Sequence, residues 1–144
     1  MLKQFPEAGI EVTIIDFKPA GLIRAKKHYS TAHIKLIGNA NGAVTQDTPD
    51  GPIVVEKGVV DLVFRVASTD PGVSYYPVGI SFLSESGGLG MDDFPTRCVA
   101  VDAFNNMMLT VHDANVNQTK FEFKLVIQRD DGDLGIIDPQ INNA

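Results

Sequence analysis

The most reactive chemistry in this sequence belongs to an aspartate followed by a proline. Asp138 precedes Pro139, and an aspartate side chain can attack its own main-chain carbonyl. The proline nitrogen is a tertiary amide without a hydrogen, so it leaves comparatively well once protonated. A second carboxyl group held close by would raise one of the two pKa values and leave a proton donor beside a base. Asp70-Pro71 has the same local chemistry but lies in a predicted turn.

Other residue types that carry chemistry are scattered along the chain. His28, His33 and His112 have no spacing that would gather them around one metal ion, and the pattern predicts His33 and His112 as solvent-facing strand residues. Cys98 has no neighbouring base, which is typical of a buried thiol rather than a nucleophile. The glycine-rich stretch 86–90 lacks the Lys-Ser/Thr pair and the helix of a phosphate-binding loop. We therefore expect neither a metal nor a cofactor.

The elements that must position these residues are predicted by alternation of apolar and polar side chains with a period of two, which is typical of half-buried strands. The predicted strands cover residues 10–17, 33–37, 53–56, 59–67, 78–82, 96–103, 107–111, 120–129 and 134–137. Turns are predicted at Asp70-Pro71-Gly72, Asn105-Asn106 and Asp131-Gly132, and the stretch 84–95 is expected to be a loop. The segment 18–30 is compatible with a helical turn or an irregular crossover. The fold class is predicted as all-β, an immunoglobulin-like antiparallel sandwich or partly open barrel.

Composition limits the possible functions. The chain has 144 residues, 44% of them hydrophobic and 21% charged, so residues 1–144 are expected to form a single globular domain. Its 18 acidic residues outnumber 12 basic ones, which disfavours nucleic acid and anionic membrane surfaces as partners. One cysteine, no signal peptide and no long apolar run predict a soluble, cytoplasmic protein.

Two stretches of the sequence carry a family resemblance. Residues 134–143, read Leu-Gly-Ile-Ile-Asp-Pro-Gln-Ile-Asn-Asn and preceded by the strand 121–128, resemble the end of the DP-EP family of small bacterial all-β proteins. Residues 76–82, read Tyr-Pro-Val-Gly-Ile-Ser-Phe, extend the resemblance to the middle of the chain.

The resemblance implies an aspartic peptidase activity, expressed as cleavage of the protein's own chain near the Asp-Pro pair. The elements it carries over to this sequence are Asp138, Pro139 and Gln140. A second acid and a tyrosine are expected to complete the site, and Asp61 and Tyr76 are the candidates on grounds of strand position.

Two functional hypotheses follow. In a self-cleaving peptidase, a protonated carboxyl group polarises the carbonyl of Asp138, an ionised one activates water or attacks directly, and Gln140 or Tyr76 donates a hydrogen bond to the oxyanion. In the alternative, the sandwich is a non-enzymatic module that presents loops or an edge strand to a protein partner or to a second copy of itself. Two acids converging near Asp138 would favour the peptidase.

Overall fold

The computed structural model describes residues 5–20, 29–84, 100–102, 105–115, 120–138 and 140–143. These ranges form strands and contain no helix, which confirms the predicted all-β class. In chain order the strands are β1 (Glu7–Asp16), β2 (Thr31–Leu36), β3 (Val44–Thr45), β4 (Ile53–Val55), β5 (Val60–Ser68), β6 (Tyr75–Ser84), β7 (Ala100–Asp102), β8 (Asn105–Asp113), β9 (Lys120–Arg129), β10 (Leu134–Ile137) and β11 (Gln140–Asn143).

The strands form two open sheets, and neither closes into a barrel. The first sheet has the order β2-β1-β5-β8-β7. In the second sheet, β10 and β11 pair with successive parts of β9 along one edge, and β6 pairs with β9 along its other edge. From β11 the sheet continues to β4 and then to β3. Most neighbouring strands are antiparallel, as predicted, but β1 pairs with β5 and β11 pairs with β4 in parallel. Both parallel pairs join strands that are far apart in sequence, and the local alternation that predicts a strand does not indicate its partner.

The core lies between the two sheets, because alternate residues of each strand point inward. In β1 and β5 these residues are at most 2% exposed, and in β9 they are at most 1% exposed. The rings of Phe64 on β5 and Phe123 on β9 meet across the sheets with centroids 5.3 Å apart. Burying one such side chain contributes about 1.5–3 kcal/mol, so the packed inner faces hold the sandwich together.

Where the described residues test them, the strand predictions agree with the structure to within a few residues. Residues 96–99 and 103 of the predicted strand 96–103, and residues 85–95 of the predicted loop, lie outside the described part of the chain. The short strand β3 has no counterpart among the predicted strands, and two further segments differ in kind. Asn105 and Asn106 do not form a turn: both belong to β8, and Asp102 pairs with Asn105. The strand β11 follows Pro139 directly and has a polar composition, so the period of two gave no signal for it. The turn at Asp131-Gly132 is confirmed, with Gly132 in the left-handed region at φ 95°.

The chain that follows β1 covers the outer edge of β10. The amide of Ala20 donates to the carbonyl of Leu134 at 2.7 Å, and the amide of Ser30 donates to the carbonyl of Ile136 at 2.8 Å. The intervening residues 21–28, which form the middle of the segment 18–30, lie outside the described part of the chain. In the part that is described, no helix is long and apolar enough to cross a membrane.

Candidate functional sites

Asp138 lies on the outer face of the second sheet. The strands β10 and β11 pair with β9 in one continuous register that is interrupted only at residues 138–139. This register places Asp138 opposite Lys124, and the alternation of exposed and buried residues along β10 directs Asp138 outward with Leu134. Pro139 itself lies outside the described residues. The aspartate of the Asp-Pro pair is therefore an exposed residue at a break in a strand ladder.

Asp61, the expected second acid, lies on the opposite side of the molecule. Its strand neighbours Val60 and Leu62 are fully buried, so the side chain of Asp61 points away from the core on the first sheet. Packed sheets are about 10 Å apart, and both carboxyl groups point away from the space between them. The structure therefore places the two expected acids on the outer faces of different sheets and does not bring Asp61 to Asp138.

Tyr76 shares the second sheet with Asp138 but lies too far along β9 to complete a site around it. Tyr76 on β6 pairs with Gln128, four residues along β9 from Lys124 and on the far side of that strand from Asp138. Four residues span about 13 Å along a strand, which is too far for a direct hydrogen bond between the phenol and the Asp138 carbonyl. Gln140 is two residues beyond Asp138, where its backbone pairs with Glu122.

Asp61 instead forms a pair with His112 across β5 and β8. The Nδ1 atom of His112 donates to Oδ1 of Asp61 at 2.8 Å, and the two side chains are only 24% and 25% exposed. The ring of Phe5 packs against the imidazole with centroids 4.8 Å apart. His112 thus points to the outer face, as predicted, but is half-buried there, whereas the side chain of His33 is 63% exposed.

This Asp-His pair has the geometry that orients an imidazole for general base catalysis. Catalysis of acyl transfer also needs a nucleophile within hydrogen-bond reach of the second ring nitrogen. Within the described residues no hydroxyl or thiol group makes that hydrogen bond to His112. Among the residues that the structure describes, the pair therefore has two of the three groups required. Sequence reasoning missed it because Asp61 and His112 meet only through the register of β5 and β8.

A second group of polar side chains lies at the edge of β2 that faces away from β1, which we call the free edge because no strand in the described ranges pairs with it. Oδ1 of Asp50 accepts a hydrogen bond from the amide of Ile34 at 2.7 Å, and Oε1 of Gln46 accepts from the amide of Leu36 at 2.9 Å. Nε2 of Gln46 donates back to the carbonyl of Ile34 at 2.8 Å. We refer to the side chains of Gln46 and Asp50 together as the latch. The latch satisfies three backbone groups of β2 that face away from β1.

His33 and the backbone hold Asp50 in the latch. Nδ1 of His33 donates to Oδ2 of Asp50 at 2.9 Å. This hydrogen bond and that from the amide of Ile34 lower the pKa of Asp50 below its ordinary value of 3.8. Asp50 has a φ of 61°, in the left-handed region that aspartate tolerates better than most residues. The latch borders a groove of about 440 Å³, lined by residues 33–36 of β2 and 46–50 of the loop.

Several of the sequence candidates fall outside the described part of the chain. These are His28, Cys98 and the glycine-rich stretch 86–90. Within the ranges that are described, no group of three or more His, Cys, Asp or Glu residues is arranged to hold a metal ion. One buried carboxylate escaped sequence reasoning: Asp113, at the end of β8, is 0% exposed, and its Oδ1 accepts from the amide of Asn115 at 2.9 Å.

Comparison with known proteins adds no family to this geometry. No protein-family model matches the chain, and no curated protein matches it.

Proposed function

We propose that this chain is a non-enzymatic β-sandwich module that acts by binding a protein partner. The observation that supports the proposal is the separation of the expected catalytic residues. Asp61 lies on the outer face of the first sheet, whereas Asp138 and Tyr76 lie on the second sheet at different heights along β9. The surfaces that remain are sheet edges and outer faces, which are the parts of a sandwich that bind other chains.

The test is the chemical stability of the Asp138–Pro139 bond in the folded protein. A synthetic peptide covering residues 132–144 provides the rate of spontaneous hydrolysis, and Asp70-Pro71 is an internal control with the same chemistry. We expect the intact mass of the folded chain at pH 5 to change no faster than that of the peptide. Faster cleavage at Asp138–Pro139 than in the peptide, abolished by Asp138→Ala, would show an enzymatic contribution from the fold and overturn the proposal.

Self-cleavage by an aspartic peptidase mechanism is the second candidate. It is favoured by the exposure of Asp138 at the interruption between β10 and β11. Because Asp61 points away on the other sheet, Asp61→Asn is expected to leave any such cleavage unchanged. Loss of cleavage in both Asp138→Ala and Asp61→Asn, with His112→Gln unchanged, would instead support a paired-acid mechanism.

A further inference from the structure

We propose that the free edge of β2 is a strand-addition site for an extended peptide with alternating apolar and acidic residues, and that the latch occupies this site in the isolated chain. The inference rests on the proposed function and assigns the binding surface within it. Strand addition uses the backbone groups of an edge strand for affinity and the side chains beside them for specificity. The edge of β2 presents both.

The backbone evidence is the way in which the latch imitates a strand. An incoming strand would accept from the amides of Ile34 and Leu36 and donate to the carbonyl of Ile34. Those roles are taken by Oδ1 of Asp50, Oε1 of Gln46 and Nε2 of Gln46. The latch consists of side chains, so an incoming strand can replace it without breaking any backbone pairing of β2 with β1. The groove of about 440 Å³ beside the latch provides space at the same edge.

The side-chain evidence is charge complementarity. His33 and Lys35 are exposed on the outer face of β2, and Ile34 between them is 6% exposed on the core side. Asp50 already supplies a carboxylate to His33, which shows the chemistry that this position accepts. On the edge of β2 that pairs with β1, Lys35 lies opposite the acidic residue Glu11. A peptide with acidic residues on one face and apolar residues on the other therefore matches both faces of β2.

The probe is a synthetic peptide with the sequence of Glu7–Asp16, in which Glu7 and Glu11 lie on one face and the apolar residues 8, 10, 12 and 14 on the other, with Asp16 as a third acidic residue at the end. The control peptide has those three residues replaced by lysine. Binding is measured by fluorescence anisotropy, and the site is located from the amide chemical shifts of the ¹⁵N-labelled protein. We expect the largest shifts at Ile34 and Leu36, whose amides point outward to the latch.

The decisive variant is Gln46→Ala/Asp50→Gly, which removes the latch. Glycine adopts the positive φ of position 50 without strain. The matched control, Gln128→Ala/Asn41→Gly, makes comparable changes on β9 and at another residue of positive φ, away from the edge of β2. Without its intramolecular competitor the latch variant is expected to bind the probe about tenfold more tightly than the wild type and the control variant. Adding Lys35→Glu is expected to reverse most of that gain.

The outcomes separate this inference from the proposed function. Equal affinity of the wild type and the latch variant, or shifts confined to another edge such as β6, would overturn the β2 site and leave a binding module. If the probe binds neither the wild type nor any variant, the β2 site is overturned as well. Self-association of the latch variant in the absence of peptide would overturn the peptide as the occupant and show that a second copy of the chain occupies the edge. If the latch variant does not fold, titration of the wild type to millimolar probe decides the matter by the same shifts at Ile34 and Leu36.

Discussion

A single methyl group added at Gly135 on β10 would meet side chains that are held in place. A Cβ atom there would lie 2.6 Å from Cε2 of Phe17 and 3.0 Å from Oγ of Ser30. The ring of Phe17 is held in place, because it packs 5.4 Å from the ring of Tyr75 and lies under the guanidinium of Arg129 at 4.5 Å. The hydroxyl of Ser30 is held by the backbone of Lys18, on the segment that covers β10.

The magnitude follows from two opposing terms. Forcing an extra carbon into a packed contact costs about 1–3 kcal/mol. Replacing glycine by alanine restricts the unfolded chain and returns about 0.4–1 kcal/mol where the backbone permits it. Gly135→Ala is therefore expected to lower the free energy of unfolding by about 1–2 kcal/mol. Gly79→Ala on β6 is the matched control, because a Cβ there meets nothing within 4 Å.

The assay is equilibrium unfolding in urea, followed by far-UV circular dichroism because the chain has no tryptophan. Phe17→Ala completes a double-mutant cycle with Gly135→Ala. Removing the ring should cost about 1 kcal/mol less in the alanine background than in the wild type, since it also relieves the clash. Equal stability of Gly135→Ala and Gly79→Ala, together with additive effects in the cycle, would refute the packing that we describe around Phe17.

Three further predictions test the core, the edge and the Asp-His pair. Phe123→Ala is expected to lower the free energy of unfolding by about 3–5 kcal/mol in the urea assay, because the fully buried ring packs on Phe64 across the sheets. A loss below about 1 kcal/mol would contradict the sandwich packing. The pKa of Asp50 is lower in the folded chain than its ordinary value of 3.8. Ionised Asp50 therefore stabilises the fold at pH values above 3.8, and this stabilisation is lost as the pH falls through the lower pKa of the folded chain. The difference in melting temperature between the wild type and Asp50→Asn should therefore shrink below pH 3.8, and a difference that grows there would show the opposite sign. Asp61→Asn should weaken the hydrogen bond to Nδ1 of His112, and ¹⁵N shifts of the imidazole that remain unchanged would show that the pair does not form in solution.

The β-strand content of this protein could be predicted because it depends on a local signal. In β5 and β9 every second residue is apolar, and burying one face of a strand requires only that alternation. The turns at Gly72 and Gly132 are equally local, since a few residues set the backbone angles. By contrast, β11 has no such alternation and is a strand because it pairs between β9 and β4.

The candidate site was decided by tertiary structure. Asp61 faces outward within β5 and Asp138 faces outward directly after β10, and nothing in their neighbouring residues shows that β5 and β10 belong to different sheets. The pairing of β5 with β8 brings His112 to Asp61, although the two residues are 51 positions apart in sequence. Side chains meet according to which strands pair and at what offset. Those contacts are fixed by the packing of the whole chain, whereas the alternation that makes each strand is written in its own few residues.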